Sequence, residues 1–323
     1  MSSVVCSIII PMYNEEEVIE ETYHRLKKVM DQTGESYELI FVNDGSRDRS
    51  ASIIKELALS DGNIRLIDFS RNFGHQTAVT AGLDYANGQA IVIIDADLQD
   101  PPEVIPMMME KWREGYDVVY GKRIKRQGET VFKKATAYLY YRVLDILSNE
   151  SIPKDTGDFR LMNRKVSEAI KKMPERNRFL RGMVNWVGFN QTAVEYVRDE
   201  RFAGETKYPL KKMLKFAADG IFSFTYKPLK LATYLGFFMS VAGFLYLLLV
   251  IYQRLFTDTT QSGWASTIAV ILVFNGITLL ILGIIGEYIG RIYEEVKGRP
   301  LYIVKETIGF NNDDEKEDRN TIS

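Results

Sequence analysis

Cysteine is almost absent from this chain. Cys6 stands alone among 323 residues, which excludes an internal disulfide and the small stapled folds of secreted domains. It lies in an apolar run and reads as a small buried hydrophobe, suited to a reducing cytoplasm. Charge of one sign is also lacking, since 41 Lys and Arg against 43 Asp and Glu leave a formal charge of −2. That balance argues against a generic nucleic-acid binder. No internal repeat and no long low-complexity segment are visible. A basic leader with a small-residue cleavage site is missing at the start, so no signal peptide is expected. No Gly-x-Gly-x-x-Gly follows the first apolar run and no Gly-x-x-x-x-Gly-Lys-Ser/Thr occurs, which disfavours a dinucleotide cofactor and a P-loop nucleotidase. The remaining composition, 46% hydrophobic and 26% charged, is globular, and the length suits two or three units.

Between residues 4 and 120 strand-like and helix-like patterns alternate. Apolar runs at 4–10, 37–42, 64–69, 90–94 and 116–120 are separated by helical periodicity at 15–30, 49–59, 76–86 and 102–114. Alternation of this kind predicts an α/β fold, a mainly parallel sheet with helices on both faces. Ligands of such sheets bind beyond the carboxyl ends of the strands. Polar clusters fall at three of those ends: Pro11-Met12-Tyr13-Asn14-Glu15, Asn43-Asp44-Gly45-Ser46 and Asp95-Ala96-Asp97-Leu98-Gln99-Asp100-Pro101-Pro102. Turn and cap chemistry accounts for Gly45, Ser46 and Asn14, but less well for an acid at every strand end. Asp95, Asp97 and Gln99 offer hard oxygen ligands for Mg²⁺ or Mn²⁺, which hold nucleotides through a few carboxylates plus phosphates. Glu15 and Asp44 can accept from ribose or base, and Tyr13 can form an apolar wall.

These stretches, together with Arg71-Asn72-Phe73-Gly74-His75, resemble family 2 glycosyltransferases of the GT-A (Rossmann-like) fold. The resemblance is nearest to the polyprenyl-phosphate branch, which includes dolichyl-phosphate mannose synthase and bactoprenol glucosyltransferases of the GtrB kind. It covers about the first two thirds of the chain through four ordered motifs. It implies that Asp95, Asp97 and Gln99 hold the metal and the sugar-nucleotide diphosphate, while Pro11, Tyr13, Glu15 and Asp44 hold the nucleoside. Asn14 and Asp95 belong to the same expected nucleotide-binding set. An essential acid of the family falls on Asp158, to position the acceptor or act as base. Many relatives read Ser-Gly-Phe-Arg there, whereas this chain reads Gly157-Asp158-Phe159-Arg160. Arg201, Gly204, Thr206 and Lys207 resemble the family's Arg-x-x-Gly-x-Ser-Lys element, and Arg201 and Lys207 are expected to contact phosphate.

After residue 120 the chain turns basic. Lys122, Arg123, Lys125 and Arg126, with Lys133 and Lys134 beyond, are expected to form a loop over the site, and Arg123, Lys133 and Lys134 to neutralise the acceptor phosphate. Residues 208–226 mix apolar side chains with lysines and read as interfacial amphipathic helix. Residues 231–252 and 266–289 are each apolar over about 20 residues, enough to cross ~30 Å of hydrocarbon. Lysines precede the first run and Arg291, Lys297 and Arg299 follow the second, which puts both termini in the cytoplasm. The expected division is a catalytic domain over 1–206, interfacial helices over 207–230, two transmembrane helices over 231–290, and a cytoplasmic tail over 291–323 whose charged stretch 305–323 is expected to be disordered.

The expected activity is transfer of a hexose, glucose from UDP-glucose, to undecaprenyl or another polyprenyl phosphate at the cytoplasmic membrane. Inversion is implied by the resemblance, and self-association is plausible for so small a membrane footprint. A processive polysaccharide synthase would call for a Gln-x-x-Arg-Trp motif and further spans, and neither is present. A non-catalytic nucleotide-binding membrane scaffold would lack turnover but keep nucleotide binding.

Overall fold

The computed structural model describes residues 4–124, 156–198, 227–256 and 263–310. Lys133, Lys134, Arg201, Lys207 and the amphipathic stretch expected before residue 227 lie outside those residues. The chain divides into two units, one built from the sheet together with residues 299–323, the other containing residues 215–298.

The first unit is an α/β sandwich around one sheet. Its strands are β1 (Cys6–Met12), β2 (Tyr37–Asn43), β3 (Ile64–Phe69), β4 (Ala90–Ile93), β5 (Val118–Arg123), β6 (Thr156–Asn163), β7 (Gln191–Tyr196) and β8 (Val304–Ile308). They lie in the order β7-β5-β6-β4-β1-β2-β3-β8. Strands β3, β2, β1 and β4 are mutually parallel, and β1 and β2 are buried along their whole length. Burial on both faces is why they read as unbroken β-branched and aromatic runs rather than alternating ones. Helices α1 (Ile19–Thr33), α2 (Ser50–Ala58), α3 (His75–Tyr85), α4 (Ile105–Arg113), α5 (Arg164–Lys171) and α6 (Leu180–Trp186) complete the unit.

Four elements depart from the sequence reading. Strand β1 does not stop at Pro11 but runs to Met12, pairing with Val42 and Asn43. Ile9 O accepts from Ile94 N on the β4 side, whereas Met12 O accepts from Asp44 N on the β2 side. Pro11 therefore turns its missing donor toward β4, which has already ended, and no ladder bond is lost. Strand β5 extends through Gly121, Lys122 and Arg123, pairing with β7 up to Tyr196, so Arg123 belongs to the sheet rather than to the expected loop over the site. Residues 227–230, expected as interfacial, begin the long helix α7 (Lys227–Phe256). The tail after residue 291 is not uniformly loose, because β8 adds antiparallel to the edge of β3. Lys55 pairs with Glu306, and Tyr302 stacks on Phe69 with ring centroids 5.1 Å apart. This strand covers an edge that would otherwise be open to pairing.

The second unit contains α7 and α8 (Trp264–Val296). They pack antiparallel through small residues, with Gly236 facing Ile281 and Gly243 facing Phe274. Much of their apolar surface is exposed, including Phe237, Phe238, Phe244 and Leu279. Among the described residues one stretch, Val273–Val296, is long and apolar enough to cross a membrane, while Ala232–Tyr246 is apolar but shorter. The two crossings expected from the sequence are thus met by one stretch on this measure.

Cys6 sits fully buried in β1. Burial first, then the charges of Glu38 and Glu35, push its thiol up to about 12. The reactive thiolate is therefore scarce at ordinary pH. Native protein at pH 8 is expected to leave a thiol-reactive dye unconsumed, while urea-unfolded protein consumes one equivalent for its one cysteine; rapid labelling of the native state would contradict this packing.

Candidate active site

In the order β3-β2-β1-β4 successive strands are added first on one side of β1 and then on the other, and a crevice opens outside the carboxyl ends at such a switch between β1 and β4. The loops after β1, β2 and β4 are exactly those that carry the polar clusters named from sequence. Two of them are knitted together. Asn14 N donates to Ser46 Oγ (2.9 Å) and Glu15 N to Ser50 Oγ (2.8 Å), while Arg47 N donates to Asn14 Oδ1 (2.8 Å). Pro11 is buried beneath this loop, Asn14 and Glu15 are half-buried, and Tyr13 is 37% exposed above it.

Asp44 follows β2 and is buried. Its carboxylate accepts from Phe73 N (2.6 Å) and Gly74 N (3.0 Å), just ahead of α3. Burial raises its pKa, and those amides and the charges of His75 and Arg71 act against the rise. The adjacent Gly45 has φ +67°, and a Cβ there would lie 2.4 Å from the Arg71 carbonyl carbon. Only glycine allows that conformation and approach together. Asp44 thus anchors the 71–74 loop.

Past β4 the chain alternates. Asp95, Asp97 and Gln99 are half-buried, whereas Ala96, Leu98 and Asp100 are buried. The three expected metal ligands therefore share one side of the turn. Gln99 N donates to Asp97 Oδ1 (3.2 Å), and Thr22 Oγ1 of α1 donates to Ala96 O (2.8 Å). Leu98 (φ 56°) and Asn14 (φ 53°) are the non-glycine residues of positive φ among the described residues. Both flank the crevice, and a leucine in that region costs about 1–2 kcal/mol. Strain of this sort collects at functional sites.

Asp158 arrives from the opposite direction. Strand β6 runs antiparallel to β4 with Ile93 facing Arg160, so two residues further the same register sets Asp158 across from Asp95. Like charges facing each other repel. His75, at the start of α3, stands between them, its Nε2 3.6 Å from Asp95 Oδ1 and 3.5 Å from Asp158 Oδ2. Arg181 Nε of α6 donates to Asp158 Oδ1 (2.8 Å) and Gln76 Nε2 to Asp158 Oδ2 (3.3 Å). Gln76 Oε1 accepts from Leu180 N (3.1 Å), which fixes the amide orientation and ties α3 to α6. Burial alone would raise the Asp158 pKa, but Arg181 and His75 hold it well below the carboxylate range. Burial works against the His75 charge, yet Asp95 and Asp158 lift its pKa to about 9. Asp95 is pushed up to about 6 by burial and by Asp158, Asp97 and Asp100, His75 opposing.

Asp95 Oδ1 is buried and makes no hydrogen bond. A buried carboxylate oxygen without a donor fits a cation, and Asp95, Asp97 and Gln99 supply only hard oxygens. Among the described residues no three His, Cys, Asp or Glu converge into a complete cage. That suits an ion completed by phosphate and water. The predicted residues of the three loops and Asp158 are thus brought to one edge, while Arg123 is engaged elsewhere: its guanidinium lies 3.4 Å from the Asp100 carboxylate. His75, Gln76 and Asp100 have roles that sequence reasoning left unassigned, and Arg181 reads equally as a solvated helix face. Their signal is positional, and it becomes visible only once α3 and α6 are folded over the sheet.

Comparison with known proteins gives the following. Glycosyl transferase family 2 matches over residues 7–171, and the GtrB C-terminal hairpin over residues 227–292. The uncharacterized glycosyltransferase YkcC of Bacillus subtilis (strain 168) is 65% identical over 95% of both chains. The bactoprenol glucosyl transferase of Shigella phage SfII is 44% identical, over 93% of this chain and 97% of its own. Glucosyl-3-phosphoglycerate synthase from Mycobacterium tuberculosis, solved with Mn²⁺, UDP-glucose and phosphoglyceric acid, superposes with a TM-score of 0.48 at 17% identity, over 68% of this chain and 78% of that one.

The raised His75 pKa has a sign that can be worked out. A group whose folded pKa exceeds its unfolded value of ~6.5 stabilises fully below that value, and the contribution is lost as pH rises through about 9. Histidine NMR of the metal-free protein is expected to show the His75 imidazolium persisting past pH 8, with its midpoint falling in Asp158→Asn. A wild-type midpoint near 6.5 would contradict the pairing.

Proposed function

The chain belongs to glycosyl transferase family 2, and we propose that it moves a hexose, glucose from UDP-glucose, onto undecaprenyl or another polyprenyl phosphate, with inversion at the anomeric carbon. The observation that carries this reading is the buried Asp95 Oδ1, which makes no hydrogen bond and has the His75 imidazole 3.6 Å away, beside Asp97 and Gln99, where a Mg²⁺ or Mn²⁺ ion would be held. When bound, that cation offsets charge gathering on the departing diphosphate. Tyr13, exposed above the β1 loop, is the wall for the base, with Pro11 beneath. Asn14 and Glu15 serve the nucleoside directly, and Asp44 serves it by holding the 71–74 loop.

Asp158 orients rather than deprotonates. A carboxylate whose pKa lies far below neutral is a weak base, and Arg181 and His75 hold it there. Little base strength is required in any case, because a lipid phosphate is already ionised at neutral pH. Arg201, Lys207, Lys133 and Lys134 are the further phosphate contacts in this reading.

The lipid acceptor is supported by relatives named bactoprenol glucosyl transferase, 44% identical over nearly the whole chain. Exposed apolar faces on α7 and α8 support association with a bilayer. Lysines before α7 and arginines after residue 290 favour two crossings with the catalytic unit and both termini cytoplasmic, and assembly as a homo-oligomer belongs to the same reading.

Membranes carrying the wild-type chain are expected to label polyprenyl phosphate from UDP-glucose in preference to other radiolabelled nucleotide sugars. Asp97→Ala is expected to lower that rate by at least 100-fold (~2.7 kcal/mol of barrier) with donor saturating. Normal transfer by Asp97→Ala, or no transfer from any nucleotide sugar by wild type, would overturn the proposal.

A further inference from the structure

Asp100 is the last residue before Pro101-Pro102, and it is fully buried. A carboxylate in such a place needs charged or hydrogen-bonding partners, and three side chains reach it, two from the ends of β5 and β7 and one from just past β7. Tyr196, at the end of β7, donates its hydroxyl to Asp100 Oδ1. Arg123, at the end of β5, places Nη2 3.4 Å from both oxygens. Arg198 Nε lies 3.5 Å from Oδ1. Arg123 Nε also donates to Tyr196 Oη (3.2 Å), which closes the triangle.

Two glycines make room for this cluster. A Cβ on Gly121 would lie 2.7 Å from Tyr196 Cε1 and 3.0 Å from Phe159 Cδ1. A Cβ on Gly157 would lie 2.5 Å from Arg123 Nη2. Neither glycine shows positive φ, so close approach, not backbone freedom, requires them. Tyr196 is further fixed edge-on against Phe159, with ring centroids 5.7 Å apart. Arg123 thus lies wedged between the Asp100 carboxylate on one side and Gly157, next to Asp158, on the other. Only 15% of its side chain is exposed.

From this arrangement we infer that Asp100 is a positioning residue that locks the Asp95–Gln99 turn to the ends of β5 and β7 through Tyr196 and Arg123. The inference deepens the glycosyltransferase reading above, since the turn being locked is the one that would hold the cation and the diphosphate. It also joins the donor turn to Asp158 mechanically, through the guanidinium packed on Gly157.

The test compares full-length wild type with Tyr196→Phe, Arg123→Gln, Asp100→Asn and the Asp100→Asn/Arg123→Gln pair. Tyr196→Phe removes one hydroxyl with no change of volume and keeps the experiment readable if the charge variants fold poorly. Hydrogen exchange of the 95–100 amides is expected to quicken in Tyr196→Phe while melting temperature changes little. Mn²⁺-dependent UDP binding is expected to weaken about threefold to tenfold, the worth of one net hydrogen bond, with the KM for polyprenyl phosphate unchanged. Arg123→Gln is expected to act in the same way, and its effect is expected to be strongly non-additive with Asp100→Asn. Unchanged exchange at 95–100 in Tyr196→Phe would overturn the inference. So would an Arg123→Gln variant that raises only the acceptor KM and adds independently to Asp100→Asn. A wild-type chain without metal-dependent UDP binding would count against the glycosyltransferase reading alone, and the exchange comparison would still decide the role of Asp100.

Discussion

Repulsion between carboxylates is the constraint that organises this unit. The β4–β6 register puts Asp158 opposite Asp95, and Asp97 and Asp100 follow within five residues of Asp95. Such crowding persists only if each acid finds a cation. Asp158 takes Arg181 and His75, and Asp100 takes Arg123 and Arg198. Asp95 shares the His75 imidazolium with Asp158, at 3.6 Å, and its pKa is pushed up to about 6. A divalent ion beside Asp95 would oppose that rise, because such an ion inverts the local electrostatics.

The fold supplies the geometry cheaply. Parallel strands bring the ends of β1, β2 and β4 to one edge, and the reversal of order between β1 and β4 leaves a crevice there. The antiparallel β6 then delivers Asp158 from the other direction. Helices α3 and α6 carry His75, Gln76 and Arg181 onto the same edge, and Gln76 bonds to both Asp158 and the start of α6. Rigid secondary structure, rather than loop closure, sets the relative placement of the acids.

Much of this was legible from local chemistry. The alternation of apolar runs predicts the α/β unit, and acids at successive strand ends predict that Asp44, Asp95 and Asp97 fall at the same edge of the sheet. What escaped was every contact made across the fold. Arg123 reads as a cation of a loop over the site, available to the acceptor phosphate, because its partner, Asp100, is 23 positions away. Pro11 reads as a terminator because the end of β4 beside it is not visible in sequence. Strand β8 hides in a charged tail, since an edge strand has one paired side and no strong hydrophobic signature. His75 could be quoted within a motif but given no role, because its meaning depends on two carboxylates from different strands.

On the proposed function, Asp95 and Asp97 share a divalent cation with the nucleotide diphosphate. Anomalous diffraction at the manganese edge, from crystals of the full chain grown with Mn²⁺ and UDP, tests it most directly. The account predicts one strong peak at about 2 Å from an Asp95 or Asp97 carboxylate oxygen, adjacent to the diphosphate. A diphosphate bound at the strand ends with no manganese beside these residues, or manganese bound only at a distant surface, would contradict it.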